Sequence, residues 1–511
     1  MSKGQEAISV TAVRDSSPES KEHNPVNNPY GANPSPSKDR SFFAWFDKND
    51  GPVERKLILK LDFLILSFAC MGFWASRPPS MKLKFLTTKQ IMYIDRGILG
   101  NAYVSGMRED LKFFGNQYVQ LTSVFTVGYA TSMIPSTLLV TKIPAHIVLP
   151  VSTFAWGLFT MLSFWATRFS QLAAYRFLVG LCEGPFFCTI HYCLGSWYRP
   201  DEIVRRAGIF YMSSGVGTIS TGLIAARIFQ SLNGALGHPG WRWMFLVASV
   251  CTFPIAIFGA VFFPGALRNK KRWFLTQEEH DIAVERMRLV GRKAPQGLPF
   301  AISSVKRFVG RWHFWVLIPW NIIWILGMGW WQQHILWLRA QPQYDTVQVN
   351  NYTAISPSLG VVFIFSFSWI VDKWGEKAKI PLFAFVTFMT FIASLGFVLY
   401  DQSSFAWKWF AVAIGYMLVS LSPVIYSHAN LVCAADAEER AFIISAMLAT
   451  GTAFNAWVPL LAWPTVQAPR FFKGYVLTCV LQPTYFFFSV FVFVYSRRRT
   501  QKEAAKKAEQ S

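Results

Sequence analysis

The chain has 511 residues, of which 52% are hydrophobic, 17% aromatic and only 15% charged. Charged residues near 25% are usual in soluble proteins, and the apolar residues here form blocks of the ~20 residues that cross a bilayer core as a helix. A soluble domain is excluded. The net charge of +21 does not indicate nucleic acid, because the basic residues sit in loops and tails between apolar blocks, as in cytoplasmic loops of membrane proteins.

Residues 1–55 are rich in Ser, Pro, Asn and charge and hold no apolar run. They read as a disordered cytoplasmic tail and not as a cleaved signal peptide. The apolar run from Phe63 to Trp74 is too short to span. Residues 75–90 follow, with Arg77, Lys82, Lys84, Lys89 and the pair Pro78–Pro79, and the run resumes at Ile91 to reach Asp95 and Arg96. Each charge at the bilayer centre costs about 2.5–3.5 kcal/mol on insertion scales. Two readings compete. Either the helix is broken for function, with irregular backbone lining a cavity, or residues 75–90 come from an unspliced intron. We favour the second, because the flanks rejoin in helical phase as one span; transcripts running from Trp74 straight to Ile91 would support it, and their absence would sink it.

With that broken first span over 57–100, further spans are predicted over 118–140, 146–167, 170–193, 207–230, 241–264, 313–337, 350–371, 380–400, 405–430, 440–463 and 473–495. The expectation is an all-α integral membrane protein of twelve spans, with a six-helix N-terminal half (56–264), a middle loop (265–311), a six-helix C-terminal half (312–495) and a basic tail (496–511). The stretch 264–311 carries eleven Lys/Arg against four Asp/Glu, which places it in the cytoplasm and both termini with it. Within it, "TQEEHDIAVERM" starts on a capping Thr and predicts a short surface helix. The charged loops 198–207 and 372–379 then face the same side. The seven cysteines, Cys70, Cys182, Cys188, Cys193, Cys251, Cys433 and Cys479, lie in or beside apolar blocks without metal-ligand spacing and read as packing residues.

Ionisable residues inside a span are functional candidates by default. Asp95 and Arg96 lie in the first span, Arg176 and Glu183 in the fourth. A spacing of seven is two turns, so Arg176 and Glu183 share one helix face about 10 Å apart. A carboxyl group held out of water can exchange a proton near neutral pH. A guanidinium in a cavity offers a planar fork matching a substrate carboxylate. Together these are the parts of a proton-coupled anion carrier; alternatively, the four are salt bridges that only hold the N-terminal half together. Asp62 falls at the cytoplasmic membrane surface. Tyr129, His191, Gln332, Gln333, His334, His428, Asn430 and Asn455 stand on or near spans, where a lone polar residue is more often an interhelical hydrogen bond than a ligand contact. Gln332 and Gln333 are the strongest of these in the second half, since amides can bind a substrate's amide or ureido group.

The segments "YIDRGILGNAYVSGMREDL", "FTVGYATSMIPSTLL", "YRFLVGLCEGPFF", "LGSWYRPDEIVRRAGIFY", "SLNGALGHPGWRWMFLV" and "WVPLLAWPTVQAPRFFKGY", in a six-plus-six layout, resemble the anion:cation symporter family of the major facilitator superfamily. More narrowly they resemble its fungal allantoate-permease branch, which includes carriers for pantothenate, biotin, nicotinate and allantoate. The likeness runs from about residue 55 to 495, omitting 75–90. It implies that Asp95 and Glu183 are protonation sites and that Arg96 or Arg176 meets a substrate carboxylate; Tyr129, Gln332, Gln333 and Asn455 are candidate substrate contacts by their place on or near spans. The superfamily's gating-loop motif matches Asp372, Gly375 and Lys377. The corresponding loop of the first half, "LLVTKIPAHIVLP", lacks the Asp, so a symmetric latch is not expected.

The resulting expectation is a monomeric plasma-membrane symporter of protons and a small organic monocarboxylate such as pantothenate or biotin, working within the lipid bilayer, with no cofactor, metal or nucleic acid. The alternative keeps the fold and makes the chain a carrier of a secondary metabolite or its precursor beside a biosynthetic gene cluster. A receptor would call for a long structured tail, and the sequence shows no nucleophile–base constellation of an enzyme.

Overall fold

A computed structural model describes residue 46 and residues 51–66, 88–267, 273–289, 302–433 and 437–510. Residues 75–87 of the expected insertion lie outside the described residues, while 88–90 already belong to the next helix. The described residues are almost wholly helical. In the first half α1 (Pro52–Leu61) leads through a wider π turn, and α2 is Thr88–Ala102. Then come α3 (Gln117–Lys142), α4 (Ala145–Leu162), α5 (Phe169–Glu183), α6 (Pro185–Trp197), α7 (Pro200–Leu232) and α8 (Gly240–Phe262). The middle segment contributes α9 (Gln277–Leu289) and α10 (Ile302–Val309). The second half holds α11 (Trp312–Gly327), α12 (His334–Arg339), α13 (Thr346–Tyr352), α14 (Ile355–Trp374), α15 (Glu376–Val398), α16 (Phe405–Ile414), α17 (Ser422–Val432), α18 (Ala437–Ala462) and α19 (Phe472–Gln510).

Among the described residues, ten segments are long and apolar enough to cross a membrane. α2, which belongs to the expected first span, and α3, whose 26 residues extend about 39 Å at 1.5 Å per residue, bring these to the twelve of the expected layout. α5 with α6 forms one span, and α16 with α17 forms another. Local chemistry sets several boundaries. α9 opens on a capping box: the Glu279 amide donates to Thr276 Oγ1 (3.2 Å) and the Thr276 amide to Glu279 Oε2 (2.9 Å). α13 opens on another, between Asp345 and Gln348. The expected loop at 372–379 shrinks to one hinge residue, Gly375, between α14 and α15; its φ of +58° suits glycine.

The two halves repeat one pairing scheme. In the first, α3 packs on α5, α4 on α8 and α2 on α7; in the second, α14 packs on the turn Gly415–Leu421, α15 on α19 and α11 on α18. The halves meet where α3 lies along α18 and α7 along α14. At the end opposite the middle segment, hydrogen bonds join them: Asn350 Nδ2 to Ser105 Oγ (3.0 Å), the Val119 amide to Thr465 Oγ1 (3.3 Å) and the Val466 amide to Asn116 Oδ1 (3.3 Å).

Candidate functional site

The site begins with a close approach of backbones. A Cβ on Gly180 of α5 would lie 2.2 Å from the Phe125 carbonyl oxygen on α3. Helices in lipid associate through such small-residue contacts. This one carries Glu183, at the end of α5, to the side of Phe125 and Tyr129.

Against these stands α2. Successive helix residues point about 100° apart, so Asp95 and Arg96 serve different neighbours. Arg96 Nε donates to Glu183 Oε1 at 2.6 Å. Its guanidinium lies over the rings of Tyr129 (4.3 Å to the centroid), Phe125 (5.4 Å) and Tyr93 (5.5 Å). The Arg96 side chain remains 27% exposed while Glu183 is 1% exposed. Its Nη2 is buried with no hydrogen-bond partner.

Asp95 turns toward α4 and α8. Its Oδ1 accepts from Thr160 Oγ1 (3.1 Å) and lies 3.7 Å from Arg176 Nη1, with both side chains 2% exposed. Arg176 Nη1 also donates to the Asp95 carbonyl (3.3 Å), and its guanidinium covers the ring of Phe245 at 4.9 Å. The four intramembrane charges therefore form two crossed pairs between α2 and α5. One is enclosed by α4 and α8. The other faces the seam between halves, because Tyr129 packs with Met133 against Ala449 and Leu448 of α18.

The remaining candidates are dispersed. Gln332 is exposed and Gln333 half-buried on a 3₁₀ turn beyond the end of α11. Asn455 is half-buried on α18. His334 Nδ1 meets the Trp331 carbonyl, and Asn430 donates to the Tyr426 carbonyl on its own helix. His191 joins the Phe187 carbonyl and, through Nε2, the Tyr211 hydroxyl at 3.4 Å. His428 belongs to a separate group near the base of the second half: Nδ1 is 3.3 Å from Lys379 Nζ and Nε2 is 3.2 Å from Ser496 Oγ. Beside the hinge Gly375, Lys377 is exposed, and the side chain of Asp372 lies outside the described residues. Asp62 is held bidentately by Arg206, at 2.6 and 2.9 Å.

Sequence reasoning missed Tyr93, Phe125, Thr160 and Phe245. The first two carried a signal: Tyr93 is three residues before Arg96 and Phe125 four before Tyr129, which is same-face spacing. Thr160 and Phe245 carried none, since only tertiary packing brings α4 and α8 to α2 and α5.

The Major Facilitator Superfamily profile matches residues 89–459. The chain belongs to this superfamily. Among curated relatives, the pantothenate transporter FEN2 of Saccharomyces cerevisiae is 32% identical over 432 residues, covering 82% of this chain and 80% of that one. The pantothenate transporter liz1 of Schizosaccharomyces pombe is 30% identical over 448 residues, 86% of this chain and 81% of that one. The vitamin H transporter of Saccharomyces cerevisiae is 30% identical over 487 residues, 93% and 79%. Among solved structures, the proton:xylose symporter XylE aligns with a TM-score of 0.59 at 13% identity, covering 78% of this chain and 94% of that chain. The Escherichia coli fucose:proton symporter FucP aligns at 0.55 and 12%, covering 79% and 97%. These two agree with the fold. The protein is a multi-pass secondary transporter and not an enzyme.

Proposed function

We propose that this transporter couples protons to the uptake of a small organic monocarboxylate of the pantothenate or biotin kind across the plasma membrane, with its middle segment and both termini in the cytoplasm. The observation that carries this reading is Arg96: it is partly exposed at the seam, caged by three aromatic rings, tied to Glu183 through Nε alone, with Nη2 buried and unpartnered. The names of the most similar relatives support the substrate class. The excess of basic charge in the middle segment supports the sidedness.

In this reading Glu183 and the substrate carboxylate compete for one guanidinium. A proton on Glu183 removes its charge and weakens its hold on Arg96, since charge-assisted hydrogen bonds are roughly twice as strong as neutral ones. The aromatic faces keep the guanidinium in place, and its fork takes the substrate carboxylate bidentately. Proton and substrate then favour each other's binding, a coupling that is reciprocal by linkage. When substrate leaves, Glu183 gives up its proton and the pair re-forms. Asp95 and Arg176, enclosed on every side, act as the brace that orients α2 against α5.

The test is growth of yeast lacking its own pantothenate carrier, or separately its biotin carrier, on limiting vitamin at acidic and neutral pH. Both the full chain and a version without residues 75–90 are expressed. Rescue of one strain, stronger in acid, is the expected result. Failure of both strains with protein at the cell surface would overturn the substrate class.

A further inference from the structure

At the base of the second half, on the side of the middle segment, the starts of α11 and α18, the end of α17 and the extension of α19 surround a cavity of about 540 Å³ lined by Arg311, Trp312, His313, Cys433, Glu439 and Arg499. It is remote in sequence from the Arg96–Glu183 site and shares no residue with it.

Its chemistry is that of an anion site. Glu439 is buried, but it is occupied by Arg311 and by His313, whose Nδ1 lies 2.7 Å from Glu439 Oε1. Trp312 Nε1 is buried with no acceptor. Arg499 is exposed, and its Nε donates to the Tyr495 hydroxyl at 3.0 Å, which orients the fork. Over 306–313, 433–440 and 497–502 the sequence carries eight Lys/Arg against three Asp/Glu.

The surroundings place this cavity at the level of lipid headgroups. α10 is held to the base by Phe308, fully buried with its ring 5.6 Å from that of Phe442, and turns Lys306 and Arg307 outward. Trp315, one turn beyond Arg311, is 65% exposed, and tryptophan in a membrane protein favours the headgroup level. Basic pockets between helix ends on the cytoplasmic side suit phosphorylated headgroups, and that leaflet is the anionic one.

We propose that this cavity binds the phosphomonoester headgroup of an anionic membrane lipid, with Arg311, Arg499 and Trp312 Nε1 as donors. The inference is independent of the transported substrate. It is tested on the full purified chain in phosphatidylcholine nanodiscs, titrated with phosphatidylinositol phosphate or with unphosphorylated phosphatidylinositol and read by native mass spectrometry. The phosphorylated lipid should be retained preferentially. Arg499→Gln should weaken retention roughly fivefold, whereas Arg497→Gln, on the same helix but outside the cavity lining, should change it less than twofold. Arg499 carries the test because Arg311 also neutralises buried Glu439, and Arg311→Gln can unfold the second half. Displacement by a soluble inositol phosphate would place recognition in the phosphate alone; retention of only the intact lipid would place it in phosphate and bilayer together. Equal weakening by both arginine variants would reduce the site to diffuse surface charge and overturn it, as would equal retention of the two lipids.

Discussion

The two halves use one pairing scheme but fill it with different chemistry. Between α2 and α5 the first half buries four charges as two crossed pairs. In the second half, the polar contacts along the middle of α11 are neutral, and the buried charges Glu439 and Lys379 lie at the base. Asn321 Nδ2 donates to the Met447 carbonyl (2.7 Å), Trp320 Nε1 to Ser489 Oγ (2.7 Å), and Gln482 Nε2 to the Gly327 carbonyl (3.2 Å) while its Oε1 accepts from Thr390 (3.0 Å). Neutral bonds have no second charge state to switch into. On the proposed mechanism the fold supplies two rocking bodies, and the switchable charge pair lies in only one of them.

The largest effects should come from breaking the switchable pair. Glu183→Gln should abolish accumulation against a gradient yet keep substrate exchange across the membrane, as read by radiolabel uptake and counterflow in vesicles. Accumulation by this variant would remove Glu183 from coupling. Arg96→Lys keeps the charge but loses the fork. It should raise the KM roughly 10- to 100-fold, the worth of a charge-assisted contact of about 1.5–3 kcal/mol. Asp95→Asn tests the brace. Leaving Arg176 buried without its ion partner should cost about 3–5 kcal/mol, so folded yield should fall, while the pH profile of surviving transporters should stay unchanged. A shifted profile would move Asp95 into coupling.

These sites differ in how much of them could be read from the chain. The spans were legible because apolar blocks and cationic loops are properties of composition, and helix α9 because Thr276 and Glu279 stand at capping-box spacing. The four charges stood out because charge inside an apolar block is costly. Their partnership was not legible. Spacing puts Arg176 and Glu183 on one face, yet each pairs across to α2, and Arg96 differs from Arg176 only in which neighbours close over it. The aromatic cage depends on the close approach at Gly180, which no local pattern announces. Gln332 and Gln333 do fall within the membrane-crossing segment Trp312–Arg339, but where its helix gives way to a 3₁₀ turn past Gly327.

The comparison sharpens with a substitution in the neutral half. Asn321 is fully buried, and its amide bonds the Met447 carbonyl where α11 crosses α18. Asn321→Ala should remove that bond, leaving the carbonyl its contact from Thr450 Oγ1 at 3.2 Å, and cost about 0.5–1.5 kcal/mol, seen as a lower unfolding temperature in detergent. Uptake should fall by about as much as folded protein does, with the dependence on pH intact. A changed proton dependence would show that both halves carry coupling.

The smallest expected effect lies at the base of the first half, where Lys60 of α1 donates to Glu279 Oε2 of α9 at 2.7 Å. Burial works against the Glu279 carboxylate, but the hydrogen bonds from Lys60 and the Thr276 amide outweigh it and hold the group below the ordinary glutamate range. A carboxyl group lowered in the folded state contributes stability above its unfolded value of about 4.3, and that contribution is lost as pH falls through the folded value. The tie between α9 and α1 should thus hold at neutral pH and loosen in acid. Hydrogen–deuterium exchange in α9, corrected for its intrinsic pH dependence, should rise roughly two- to fivefold on acidification, the scale of a partly exposed ion pair. Glu279→Gln should remove that rise. The first half would then carry charge at its base as a fastening and at its centre as a switch, distinguished by whether a proton taken up there changes transport or only local opening.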